Sequence, residues 1–402
     1  MSLARVFEHP RLSGRARTAF WTALALGVLA RLAVAFATRG SSYDIDSFEL
    51  VRDALNTHPL RLYELVNLPL APHWPYPPGF LPWVLFSDWA SNVTGMRFDG
   101  FIQVAPIAAD AAIAWIVQAF LGQRGADDRT RLLAACLVAV GPTFMIISGY
   151  HGQIDSVCIL PALLALWIWT RSDAPQRAVM AGVLVGIGIA IKPPAGLVLL
   201  ALLPSARTPR EGATLGFTAV AVPLVMLIPF ALENFSDTFG NVLGYHGLAG
   251  FGGISLLVQP SLANNWLGTG LVPFTPLSEF VYDNGTKVAL TFLLLTTAAI
   301  WRCRTSPALG AVIIWLTFFV FGVTFSINYL ILGMPFFLLM GRLREVAAIQ
   351  LSVLVPLLLF YSQIGRNLPI VAVYSSIMIA LWAGLLAWWI AEIRRLKTGV
   401  RP

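Results

Sequence analysis

Long apolar runs separated by short polar breaks fill most of this 402-residue chain. The first extends from Thr18 to Thr38, about 20 residues, the length a helix needs to cross a bilayer. Further runs predict helices over 98–121, 132–149, 156–171, 178–191, 195–204, 213–232, 287–301, 307–324, 330–341, 347–362 and 370–391. These runs are continuous rather than alternating, which argues for helices and against a closed β-barrel. Segment 78–90 is apolar but short, and Pro82 and Asp88 interrupt it, so it reads as a helix dipping into one leaflet. The prolines of Lys192-Pro193-Pro194 predict a broken helix pair there, a feature tolerated where backbone lines protein rather than lipid. The expected fold class is all-α, a polytopic membrane protein of about 11–13 transmembrane helices forming one domain over 1–402.

Two polar stretches, 39–97 and 233–286, are too long to be mere connectors. In the first, Asp46-Ser47-Phe48-Glu49 has capping-box spacing, with Asp46 as the expected N-cap. Phe48, Val51 and Leu55 then share one face and Glu49, Arg52, Asp53 and Asn56 the other, the pattern of a helix lying along the membrane surface. The second stretch is rich in Gly, Asn, Pro and aromatic residues, among them Tyr245-His246 and Asn264-Asn265-Trp266.

Composition agrees: 57% hydrophobic and 12% charged residues exclude an ordinary soluble domain. The net charge of +7 comes from arginines in short loops, including Arg124, Arg129 and Arg131, Arg171 and Arg177, Arg207 and Arg210, and Arg394 and Arg395. That is the positive-inside pattern, so the charge reports topology and does not imply nucleic acid. It places 1–17 and 392–402 in the cytoplasm and 39–97, 150–155, 192–194, 233–286, 325–329 and 363–369 on the opposite side. The expected location is a plasma membrane of bacterial type, with the first helix retained. Cys136, Cys158 and Cys303 have neither disulfide nor metal-ligand spacing.

The extracytoplasmic side then collects Asp44, Asp46, Tyr76, His151, Gln153, Asp155, Lys192, Asn328 and Tyr329 from separate parts of the chain. Asp44 and Asp46 alternate as D-x-D. A carboxylate there can take a proton from an attacking hydroxyl, and the pair can hold a divalent cation such as magnesium or manganese. His151, Gln153 and Asp155 suit sugar hydroxyls, although Asp155 can equally be the N-cap of the next helix. Lys192 ends an apolar run, where it either snorkels to the surface or meets an anion such as a lipid phosphate. Arg366 and Lys287 are further cations for that role, and His246 adds a polar group in the second long loop. Arg31 and Asp110 lie inside apolar spans and can pair with each other. Phosphate-binding glycine loops are absent, as is any soluble stretch long enough to hold a nucleotide sugar. An energy-rich donor would therefore arrive from the membrane or from outside.

The segments Tyr43-Asp44-Ile45-Asp46-Ser47-Phe48, Tyr76-Pro77-Pro78-Gly79, Gly152-Gln153-Ile154-Asp155-Ser156 and Lys192-Pro193 occur in that order. Asn328-Tyr329-Leu330, leading into Met334-Pro335-Phe336, follows them. In this the chain resembles the GT-C class of integral-membrane glycosyltransferases, in particular bacterial mannosyltransferase-like members and the catalytic subunit of the glycosylphosphatidylinositol mannosyltransferase. The resemblance implies a large first outer loop bearing the catalytic acids Asp44 and Asp46, with Asp44 as the base. It also implies inverting transfer of a hexose, mannose by family precedent, from a polyprenyl-phosphate sugar to a lipid, glycan or protein acceptor. Where many relatives carry His, Glu or Arg before the late tyrosine, this chain has Asn328. Two alternatives remain at this point: a transporter or flippase for a lipid-linked or anionic substrate, which would show paired broken helices, and a non-enzymatic assembly subunit.

Overall fold

The computed structural model describes residues 6–66, 74–245, 247–268, 270–361 and 368–398. They form helices and turns, with no strand among them. Among the described residues six helices are long and apolar enough to cross a membrane, and shorter apolar helices cover Arg177–Ile191, Pro193–Ser205, Pro307–Phe321 and Ile327–Leu339. Each expected span coincides with a helix or a broken helix, its ends moved by a few residues. The chain divides into two compact units, Met1–Gly196 with Arg207–Tyr245, and Leu197–Ala206 with His246–Pro402.

In the first unit, α1 (Gly14–Ala37) leads into α2 (Ser42–Thr57). The capping-box expectation needs correction here: α2 begins four residues before Asp46, with Ser41 at the N-cap and no side-chain cap. The reason is the apolar stripe, which starts one turn earlier than Phe48. Ile45, Phe48, Val51 and Leu55 are all buried, and they recur at helical spacing. Asp44 thus lies in the first helical turn, where a carboxylate faces the positive end of the helix dipole. Next come α3 (Leu81–Thr94), which is the expected short helix, then α4 (Phe98–Gln123) and α5 (Asp128–Ala139). Ahead of Pro142 the α5 ladder stops; a short helix, Pro142–Ile146, and a π-helical turn, Ile147–His151, follow. The unit continues with α6 (Asp155–Arg171), α7 (Arg177–Ile191), α8 (Pro209–Glu233) and α9 (Phe235–Gly244).

Helix α7 packs closely on α8 because Gly182 and Gly186 stand four apart on the contact face. A Cβ at Gly186 would lie 2.7 Å from the Val222 Cβ. The far side of α8 exposes Phe217, Val225 and Leu232, as a lipid-facing helix would. At Pro193 regular α-helix gives way to a 3-10 stretch, Pro193–Val198, which is the break the prolines predict.

The second unit contains α10 (Pro276–Asp283), α11 (Gly285–Arg302), α12 (Pro307–Phe321), α13 (Leu330–Leu339), α14 (Leu343–Tyr361) and α15 (Leu368–Thr398). Its core is α12 with α13, both apolar all round; every residue of α13 is buried, and Trp315 stacks on Phe336. Trp389 Nε1 donates to Thr317 Oγ1 of α12 at 2.9 Å.

Candidate functional site

The site is built in the first unit, around the first turn of α2. The π-helical turn at Ile147–His151 closes on Gly152, whose φ of +79° is left-handed backbone that a side chain would strain. A Cβ at Gly152 would also sit 3.2 Å from Gln103 Cγ and 3.3 Å from Ile45 Cδ1. Glycine therefore lets the chain reverse directly against α2. The reversal places His151 and Gln153 at the two carboxylate oxygens of Asp44: His151 Nε2 is hydrogen-bonded to Oδ2, and Gln153 Nε2 donates to Oδ1.

Gln153 continues the connection inward. Its Oε1 accepts from Lys192 Nζ at 3.3 Å, and Nζ also donates to Asp155 Oδ1 at 2.6 Å. Lys192 stands where α7 ends, so its backbone is already extended toward Pro193. The Tyr76 ring covers the ammonium, with Nζ 5.1 Å from the ring centroid. Two contacts hold the Tyr-Pro-Pro-Gly turn in that place. Tyr63 donates its hydroxyl to the Tyr76 carbonyl at 2.8 Å, and Gly79 lies so close to α7 that a Cβ would meet the Ala190 carbonyl at 2.6 Å. The result is a continuous chain of groups, His151–Asp44–Gln153–Lys192–Asp155. The Asp44 side chain is 21% exposed, against 5% for His151 and 0% for both Lys192 and Asp155. Asp44 is the member a substrate can reach. Beside it, partial burial and the Asp44 charge push the Tyr43 phenol above its ordinary range.

Several sequence expectations change in detail. Asp155 is the first residue of α6, with Ile154 at the N-cap and no side-chain cap, so its carboxylate serves Lys192 and not the helix end. Lys192 does not snorkel; the anion it meets is Asp155. Asp46 is separated from Asp44 by two positions on one helix, about 200° around the axis. It accepts from Arg39 Nη2 at 2.6 Å, and the same nitrogen reaches Glu49 at 2.8 Å. The D-x-D carboxylates therefore point to different sides of α2. Among the described residues no group of three His, Cys, Asp or Glu side chains is arranged to hold a metal ion. Asp46→Asn is expected to leave transfer within about threefold of wild type and stability within about 0.5 kcal/mol, as for an exposed ion pair. A parallel activity and thermal-unfolding measurement checks this.

Asn328 and Tyr329 belong to the second unit, in the 3-10 turn Ile327–Tyr329 that leads into α13, and Asn328 is buried. His246 and Arg366 lie outside the described residues. Arg31 and Asp110 do pair, at 3.5 Å. The sequence alone did not single out Ser148 or Gln103, and Ser156 entered only as the last residue of the Gly152–Ser156 segment; both serines bond Asp110, and Gln103 is buried behind Gly152. A signal for the serines was present only in their positions, flanking the His151–Asp155 segment.

Comparison with known proteins adds the family. Among solved structures the chain is similar to the archaeal oligosaccharyltransferase AglB from Archaeoglobus fulgidus, in complex with an inhibitory peptide and a dolichol-phosphate. The identity is 13% and the TM-score 0.39, and the match covers 94% of this chain and 56% of that one. No curated protein sequence matches. The family model of glycosyltransferase family 87 matches residues 74–326. That range takes in Tyr76, His151, Gln153, Asp155 and Lys192, while Asp44 precedes it. It amounts to well over half of the chain, and this protein belongs to glycosyltransferase family 87.

Proposed function

We propose that this enzyme transfers a hexose, mannose in the first instance, from a polyprenyl-phosphate sugar to an acceptor hydroxyl on the extracytoplasmic side of the plasma membrane, with Asp44 as general base. The acceptor is a lipid, a glycan or a protein. The observation that carries this reading is the Asp44 carboxylate, accessible at its edge and fixed by His151 and Gln153. In a single displacement, the acceptor oxygen attacks the anomeric carbon and its proton passes to Asp44. The bond from that carbon to the phosphate oxygen breaks, and its electron pair leaves with the polyprenyl phosphate. One displacement inverts the anomeric centre. Phosphate is a leaving group that needs no proton from the protein, which accords with a site holding one accessible acid.

Lys192 is engaged by Asp155 and Gln153, so we assign it to holding the Gln153 amide toward Asp44 in preference to binding phosphate. The membrane origin of the donor is supported by the apolar sequence without a nucleotide-binding stretch, and the sidedness by the arginine distribution. The test is transfer in reconstituted liposomes, with polyprenyl-phosphate hexoses and pentoses as donors, with EDTA and with added magnesium or manganese. The expected result is consumption of one polyprenyl-phosphate sugar, unaffected by EDTA, and a product of inverted anomeric configuration. Transfer from nucleotide sugars alone would overturn the donor class, and a retained configuration would overturn the single displacement.

A further inference from the structure

Behind the site lies a second buried polar cluster, centred on Asp110. Asp110, in the middle of α4, accepts from Ser148 Oγ on one carboxylate oxygen and from Ser156 Oγ on the other. Arg31 of α1 stands 3.5 Å from the same carboxylate. Its guanidinium also donates to the Ala139 carbonyl at 2.6 Å and the Val138 carbonyl at 2.8 Å. Those carbonyls are left free because α5 stops there. Gly149 makes room for the arginine stem, since a Cβ there would meet Arg31 Cγ at 2.9 Å.

Ser148 precedes His151 by three residues, and Ser156 follows Asp155 directly. The two oxygens of Asp110 therefore grip the chain on either side of the segment that carries His151, Gln153 and Asp155. Charges in an apolar interior are costly, and replacing a buried ion pair with apolar side chains is often neutral or even stabilising. Stability is a weak reason for such a cluster. What two carboxylate oxygens supply, and an apolar side chain would not, is a fixed separation between two hydroxyls.

We propose that Asp110, backed by Arg31, is a positioning residue that clamps the His151–Asp155 segment at both ends, so that His151 and Gln153 meet Asp44 in register. This rests on the assignment of Asp44 as the base. It predicts that loosening the clamp lowers turnover while leaving donor affinity nearly unchanged, because the segment touches the base and Asp110 touches neither substrate nor base.

The experiment compares Ser148→Ala, Ser156→Ala and the double variant with Asp110→Asn, Asp110→Ala and Asp44→Asn, all as full-length protein in liposomes. Activity is normalised to folded protein, and kcat and KM for the donor are measured separately. Misplacing a catalytic contact by about 1 Å costs on the order of 100-fold. The double serine variant and Asp110→Ala should therefore lose about 100-fold in kcat, with donor KM within about threefold. Asp110→Asn offers one acceptor and one donor, both of which serine hydroxyls can satisfy, so it should recover most of that loss. The single serine variants keep one grip and supply the comparison should the others fold poorly.

Wild-type kcat per folded molecule in the serine variants, together with an inactive Asp44→Asn, would overturn the clamp and leave the base in place. An increase in KM with kcat unchanged would also overturn it, by making the segment a binding element. An active Asp44→Asn would overturn the assignment of the base and the clamp with it.

Discussion

Asp44→Asn is expected to lower sugar transfer by about 1000-fold while the protein still inserts and folds. A positioned general base contributes about 100- to 10,000-fold, and a carboxamide cannot take up the acceptor proton. The exchange is close to isosteric, and its hydrogen bonds survive. Gln153 Nε2 can still donate to the side-chain oxygen, and the new amide can donate to His151 in its other tautomer. Folding should therefore be nearly unaffected, and the loss should appear in kcat. Donor binding measured with a non-reacting polyprenyl-phosphate analogue is expected to stay within about threefold, since the base acts in the transition state. Asp46→Asn on the same helix is the matched control, because Asp46 points toward Arg39 and not toward His151. Turnover by Asp44→Asn within tenfold of wild type would remove Asp44 from the chemistry.

The architecture was legible because a bilayer imposes a length and a composition that few other environments demand. The apolar runs at 98–121 and 213–232 correspond closely to α4 and α8. The site was legible for a different reason. Sidedness groups Asp44, Asp46, Tyr76, His151, Gln153, Asp155, Lys192, Asn328 and Tyr329, and within the first unit the fold joins Asp44, Tyr76, His151, Gln153, Asp155 and Lys192. What the sequence hid was direction. D-x-D suggests two acids acting jointly, but on a helix that spacing sends them to opposite sides, and only the burial of Ile45 shows that the helix has already begun. Asp155 and Lys192 each had a local explanation, as a cap and as a snorkelling cation. Their pairing depends on how α6 and α7 pack, which no local pattern encodes. Ser148 and Ser156 carried still less signal, for a serine in an apolar run looks the same whether its hydroxyl bonds its own helix or a carboxylate on another.

The Lys192–Asp155 pair allows stability and catalysis to be separated. Lys192→Met alone leaves the Asp155 carboxylate buried without its cation, and breaking a buried pair in this way costs about 3–5 kcal/mol. Lys192→Met combined with Asp155→Asn removes both charges, so most of that stability should return, as it does when buried ion pairs are neutralised together. Activity should not return with it. The Gln153 Oε1 would have lost its charged donor, and the amide would be free to turn away from Asp44. A hydrogen bond to a charged group contributes about 1.5–3 kcal/mol, which sets the expected deficit in kcat at about 10- to 100-fold. Thermal unfolding and kcat of the double variant, measured against each single variant, decide between two roles for Lys192. Recovery of both together would reduce it to the counter-ion of Asp155. Recovery of stability without turnover would make it the group that holds Gln153 on the base.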